Sequence, residues 1–127
     1  GVDEDSLKFT TTAFTDVNDE TYNAAAIQYC AEKGLIGGDG DGKFRPNDSI
    51  TRQEAAKIMA EALELTETDD ELFTDDNLIH EWAEDYVYQC KAAGIFGGDA
   101  GTGNFRPTDA ISRAETAKIM VVAYNNK

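Results

Sequence analysis

Apolar positions recur at helical spacing in the first half of the chain. Tyr22, Ala26, Tyr29 and Cys30 fall at i, i+4, i+7 and i+8, one face of a helix. Ala55, Ile58, Met59, Ala62 and Leu63 form the stripe of a second helix. Between them Gly34 offers a left-handed stop, followed by apolar Leu35 and Ile36 as a Schellman end prefers. Glycines and aspartates from 37 to 42 cannot continue a helix, so they make a turn. Phe44 is expected to anchor that loop to the core, and Pro46 to end it. Thr51-x-x-Glu54 marks the start of the second helix as a capping box, and Ser112-x-x-Glu115 is another.

The second box belongs to a second copy of the whole unit. Phe14-Thr15-Asp16 recurs as Phe73-Thr74-Asp75, Cys30 as Cys90, and Gly34 as Gly94. Gly37-Gly38-Asp39 recurs as Gly97-Gly98-Asp99, and Phe44-Arg45-Pro46 as Phe105-Arg106-Pro107. Ala56-Lys57-Ile58-Met59 returns as Ala117-Lys118-Ile119-Met120. The offset grows from 59 to 61 along the chain, with the changes falling between matched blocks where loops absorb them. The predicted fold class is all-α with little or no strand: two tandem helix–Gly-rich loop–helix repeats in a pseudo-symmetric helical bundle. Residues 14–64 form the first repeat and 73–127 the second. Acidic residues 65–72 are the linker, and 1–13 a tail or lead-in without clear period.

Composition then narrows the function. Twenty-five acids against 11 Lys and Arg give a net charge of −14 over 127 residues, which excludes duplex nucleic acid as a partner. No apolar run is long enough to cross a bilayer, so no membrane insertion is expected. The chain starts at Gly1 with no charged segment leading into an apolar one, and reads as a mature chain or a fragment of something longer. One histidine, His80, has no second ligand at metal spacing and reads as a surface or boundary residue. Asp39-Gly40-Asp41-Gly42 starts like a calcium loop, but Lys43 and Ile50 stand where the fifth and twelfth ligands belong. No metal, no cofactor and no catalysis are expected. Cys30 and Cys90 occupy equivalent core-facing positions, favouring buried free thiols over a disulfide.

The ordered set Phe-x-Asp-Val, Gly-Leu-Ile-x-Gly, Asp-Gly-x-Phe-x-Pro and Ile-Thr-Arg-x-Glu-Ala-Ala resembles the S-layer homology repeat, twice over. The resemblance implies a non-covalent anchor on a bacterial cell surface, holding an anionic, often pyruvylated, secondary cell-wall polysaccharide. It implies a polymer-binding arginine in each Thr-Arg-Ala-Glu signature, here Thr51-Arg52-Gln53-Glu54 and Ser112-Arg113-Ala114-Glu115. The family usually joins three repeats, with grooves between neighbours. Two repeats therefore point to a third outside this chain, to a homo-oligomer, or to a diverged pair.

Charge placement supports the same arginines independently. Residues 43–57 and 104–118 hold seven of the 11 cations and four acids, a net +3, leaving −17 on the remaining 97 residues. Arg52 and Arg113 each follow a cap, where the helix dipole disfavours a cation by about 0.3–1 kcal/mol. Free N–H groups at a helix start plus a guanidinium would hold a carboxylate, such as that of a pyruvate ketal. The structural alternative folds each arginine back onto Asp48 or Asp109. Gly38 and Gly98 allow close backbone approach, or simply make their turns. Trp82 and its counterpart Tyr22 either stack on a sugar or serve as core anchors. The candidate polymer contacts are Arg52, Arg113, Glu54, Glu115, Gly38, Gly98, Asp39, Asp99 and Trp82. A protein–protein adaptor for a surface assembly is the rival function.

Overall fold

The computed structural model describes residues 14–37 and 40–125. The lead-in 1–13, Gly38 and Asp39 lie outside the described residues. The architecture is helical, as the periodicity predicts. Ala24–Glu32 forms α1, Arg52–Ala62 α2, Glu84–Ala92 α3 and Arg113–Asn125 α4. Two 3-10 turns, Asp76–Leu78 and Glu81–Ala83, lead into α3. Two strands of three residues, Ser49–Thr51 (β1) and Ala110–Ser112 (β2), immediately precede α2 and α4. Tyr22 and Trp82, expected to open the first helix of each repeat, lie just ahead of α1 and α3 instead. The polar stretch 65–69 carries no helix or strand.

The chain packs as two compact units, offset from the sequence repeats. A continuous unit covers Ile50–Ala110, and a split unit combines the chain through Ser49 with the chain from Ile111. In the continuous unit α2 packs on α3, burying Ala56, Met59 and Leu63 with Val87 and Cys90. Phe105 is fully buried in this unit, its ring 5.2 Å from Phe73 and 5.2 Å from Phe96, centroid to centroid. In the split unit α1 packs on α4, burying Ile27 and Cys30 with Ala117, Met120 and Val121. Phe44 plays the part of Phe105 there, with Phe14 5.3 Å away. Neither Phe44 nor Phe105 exposes any surface, and burying such a ring contributes roughly 1.5–3 kcal/mol. Both cysteines are free thiols whose Sγ donates to a carbonyl, Cys30 to Ala117 and Cys90 to Ala56, each at 3.4 Å. Burial pushes both thiols up to about 12, which makes them inert core groups.

Local chemistry sets the helix ends. Gly34 stands at φ 70, with Leu35 N–H on Cys30 O and Gly34 N–H on Ala31 O, a Schellman stop. Gly94 repeats it after α3 at φ 77. Thr51 caps α2: its hydroxyl accepts Glu54 N–H at 3.2 Å, and Glu54 accepts Thr51 N–H at 2.9 Å. Ser112 Oγ accepts Glu115 N–H at 3.1 Å ahead of α4.

Candidate functional site

Each arginine of the signature stands at the first position of its helix, and each is pinned in the same way. In the continuous unit, Arg52 Nε donates to Phe105 O at 2.8 Å, and Cζ lies 4.9 Å and 5.1 Å from the Phe96 and Phe105 ring centroids. In the split unit, Arg113 Nε donates to Phe44 O at 2.8 Å, with Cζ 4.8 Å from the Phe44 centroid. Guanidinium over an aromatic face is a cation–π contact, worth about 0.5–1 kcal/mol or more when partly desolvated. Burial first, then Arg106, holds the Arg52 guanidinium below its ordinary value, while Asp99, Asp109 and Asp75 oppose the shift.

The alternative in which these arginines pair with Asp48 or Asp109 is not what forms. Those acids pair with other arginines: Arg45 reaches Asp48 at 3.5 Å, and Arg106 reaches Asp109 at 3.0 Å. Nor are the first-turn N–H groups free for a ligand. Arg52 and Gln53 donate theirs to Asp109 O and Pro107 O, and Arg113 and Ala114 to Asp48 O and Pro46 O. The proline loop folds under each helix start and consumes those donors, which corrects the expected N–H contribution. What remains is the guanidinium fork. Among the described residues the terminal nitrogens of Arg52 make no hydrogen bond, whereas one of Arg113 donates to Gly37 O at 3.0 Å.

The other candidate residues divide among several roles. Glu54 and Glu115 serve their caps; the hydroxyls of Thr51 and Ser112 donate to them at 2.8 and 3.1 Å. The Thr51 N–H first, then its hydroxyl, holds the Glu54 carboxyl below the usual carboxylate range. Asp99 grips Arg106 with both oxygens, at 2.6 Å to Nε and 3.3 Å to a terminal nitrogen. Gly98 is required by its turn, since a Cβ there would stand 2.9 Å from Gly103 Cα. Trp82 keeps 47% of its surface exposed, so it is not a core anchor. It lines a shallow groove of about 410 Å³ with Ile50, Glu54, Lys57, Ile58 and Glu61. Lys57 Nζ sits 5.9 Å from the Trp82 ring centroid. The fold thus brings Glu54 and Trp82 to one groove; Arg52 is not among the residues that line it.

Two residues beneath the site carried no role in the sequence reading. Asp75 accepts the N–H groups of Phe105 at 2.8 Å and Arg106 at 2.9 Å, and Asp16 does the same for Phe44 and Arg45. The recurrence of Phe-Thr-Asp at 14–16 and 73–75 was the available signal.

The sequence model of the S-layer homology domain matches residues 13–56 and 72–117. The chain is 37% identical over 117 residues to "S-layer protein EA1" of Bacillus anthracis, covering 91% of this chain and 13% of that protein. It is 38% identical over 113 residues to "Exoglucanase XynX" of Acetivibrio thermocellus, covering 84% of this chain and 10% of the relative. An "Amylopullulanase" of Thermoanaerobacterium thermosulfurigenes is also 38% identical, with this chain spanning only 6% of its length.

Proposed function

Because the chain belongs to the S-layer homology domain family, we propose that it anchors a larger protein by holding an anionic wall polysaccharide on Arg52 and Arg113. The S-layer homology domain is a non-catalytic anchoring module of the bacterial cell surface or S-layer. The observation that carries the finer reading is the state of Arg52. Its Nε is spent on Phe105 O and its plane lies over two rings, while its terminal nitrogens make no hydrogen bond among the described residues. A guanidinium held that way presents a preorganised fork to a carboxylate, and a pyruvate ketal on a sugar supplies one. In the continuous unit a sugar ring can stack on the exposed face of Trp82, with Glu54 and Lys57 alongside for its hydroxyls. A further repeat or a second copy of the chain completes the threefold set in this reading.

Co-sedimentation with purified walls, before and after removal of the wall polysaccharide, tests the proposal. Binding should vanish on stripping and in the Arg52→Ala/Arg113→Ala variant at unchanged helicity. Binding to stripped walls, or full binding by the double variant, sinks it. The adaptor reading has one observation in its favour, the exposed Leu72 and Leu78 of the continuous unit. Binding that resists salt but falls on Leu72→Ser/Leu78→Ser selects it.

A further inference from the structure

In each unit a single peptide plane lies between the arginine and an aspartate. The peptide joining Phe105 to Arg106 presents its C=O to Arg52 Nε at 2.8 Å. On its opposite edge the Arg106 N–H donates to Asp75 Oδ2 at 2.9 Å. The C=O and N–H of a trans peptide point in opposite directions, so this plane is a rigid spacer between carboxylate and guanidinium. The peptide joining Phe44 to Arg45 has the same two neighbours in the split unit, Arg113 Nε at 2.8 Å and Asp16 Oδ2 at 2.9 Å. We propose that Asp75 and Asp16 are positioning residues for the binding arginines, fixing through this peptide where each guanidinium fork points. The inference rests on the carboxylate-reading role of Arg52 and Arg113 proposed above.

The backbone shows why a carboxylate is needed. Two consecutive N–H groups converge on one Asp side chain only because the chain turns sharply after the phenylalanine. The turn sets Arg106 and Arg45 at φ 62, a left-handed conformation in which a Cβ is strained. Glycine would adopt it without strain, yet arginine stands there in both units. Two charge-assisted hydrogen bonds donated to Asp75 by the Phe105 and Arg106 N–H groups offset the strain and lock the plane. Polarisation runs on through the peptide, so the carboxylate also strengthens the carbonyl that receives Arg52. An asparagine would keep the shape but lose one acceptor, releasing either the Phe105 or the Arg106 N–H.

The test reads the arginine side chain directly by ¹H–¹⁵N spectroscopy of the Nε–H groups, assigned with Arg52→Lys and Arg113→Lys. In Asp75→Asn the Arg52 Nε–H signal should move toward that of solvent-exposed arginines, with water exchange at least tenfold faster. The Arg113 signal should stay in place. Adding Arg106→Gly to Asp75→Asn, compared with Arg106→Gly alone, should restore the Arg52 signal, because glycine holds the turn unaided. An unmoved, slowly exchanging Arg52 signal in folded Asp75→Asn overturns the proposal, as does failure of the glycine to rescue. If Asp75→Asn does not fold, Asp16→Asn read at Arg113 decides by the same criteria. Wall binding is scored separately. A displaced Arg52 signal with undiminished binding upholds the positioning and removes the glycan role of Arg52.

Discussion

Tyr88 donates its hydroxyl proton to Asp76 at 2.7 Å while accepting the Phe73 N–H at 3.0 Å, so the phenol joins α3 to the turn before it. In its protonated form the Glu84 carboxyl can donate to Asp76 as well. Burial first, then that bond and the charges of Asp76 and Asp85, pushes Glu84 up to about 7. The first repeat has none of this, carrying Val17, Ala24 and Gln28 at the matching positions.

A pH dependence follows. A carboxyl raised in the folded state keeps its proton where the unfolded chain has lost it, so stability declines as pH climbs from 4.5 to about 7 and then levels. The thermal midpoint of the continuous unit should therefore fall by roughly a few degrees across that window, the effect being reduced by partial exposure. Glu84→Gln should flatten the decline. Glu54 and Asp69, both held low, contribute stability that is lost only on further acidification, outside this window. Melting followed by circular dichroism from pH 5 to 8 checks the slope.

Removing a cap should have a clear signature. Thr51→Ala deletes the acceptor of Glu54 N–H and the hydroxyl that bonds its carboxylate, at a cost of about 1 kcal/mol. The Glu54 carboxyl should rise toward its ordinary value at the same time. Denaturant unfolding and carboxyl-carbon titration give the two readings.

The paired glycines should separate sharply. Gly98→Ala forces a Cβ to within 2.9 Å of Gly103 backbone, so destabilisation of roughly 1–3 kcal/mol is expected. Gly97→Ala meets nothing within 4 Å and should change stability by no more than about 0.5 kcal/mol. Equal effects in urea melts would mean that the turn does not need Gly98 for close approach.

Trp82→Ala probes the groove. With 47% of its surface exposed, the ring adds little to the core, so stability should shift by less than about 1 kcal/mol. Affinity for the wall polysaccharide should drop about fivefold to tenfold if the ring stacks on a sugar, as a loss of about 1–1.4 kcal/mol requires. Urea melts measure the stability and isothermal titration with the released polymer the affinity; unchanged affinity removes Trp82 from the contact.

Local features were the legible ones. Helical stripes, the Thr51 box, the glycine stops and the buried Phe44 each depend on residues a few positions apart, so their spacing carries the information. The packing partners were not legible. Setting α2 on α3 and α4 on α1 buries the same kinds of side chain as pairing helices within a repeat, so hydrophobic pattern alone does not choose. The clasp of Asp75 on Phe105 spans 30 residues, so the repeated Phe-Thr-Asp marks the aspartate but not its partner. Long range also explains the first-turn N–H groups: their acceptors, Pro107 O and Pro46 O, come from loops distant in sequence. Gly38 and Asp39 remain expectations, outside the described residues.

The split unit has a consequence for synthesis. The bond from Cys90 to Ala56 closes across 34 residues, that from Cys30 to Ala117 across 87. On loop-closure grounds the longer span costs only about 0.8 kcal/mol more, but it cannot close until the chain has been made that far. Residues 50–110 can therefore settle while the ribosome is still translating, as α1 waits with its apolar face uncovered for α4. A nascent chain stalled just before α4 leaves Ile27 and Cys30 uncovered, so a defect late in the second repeat is felt in the first.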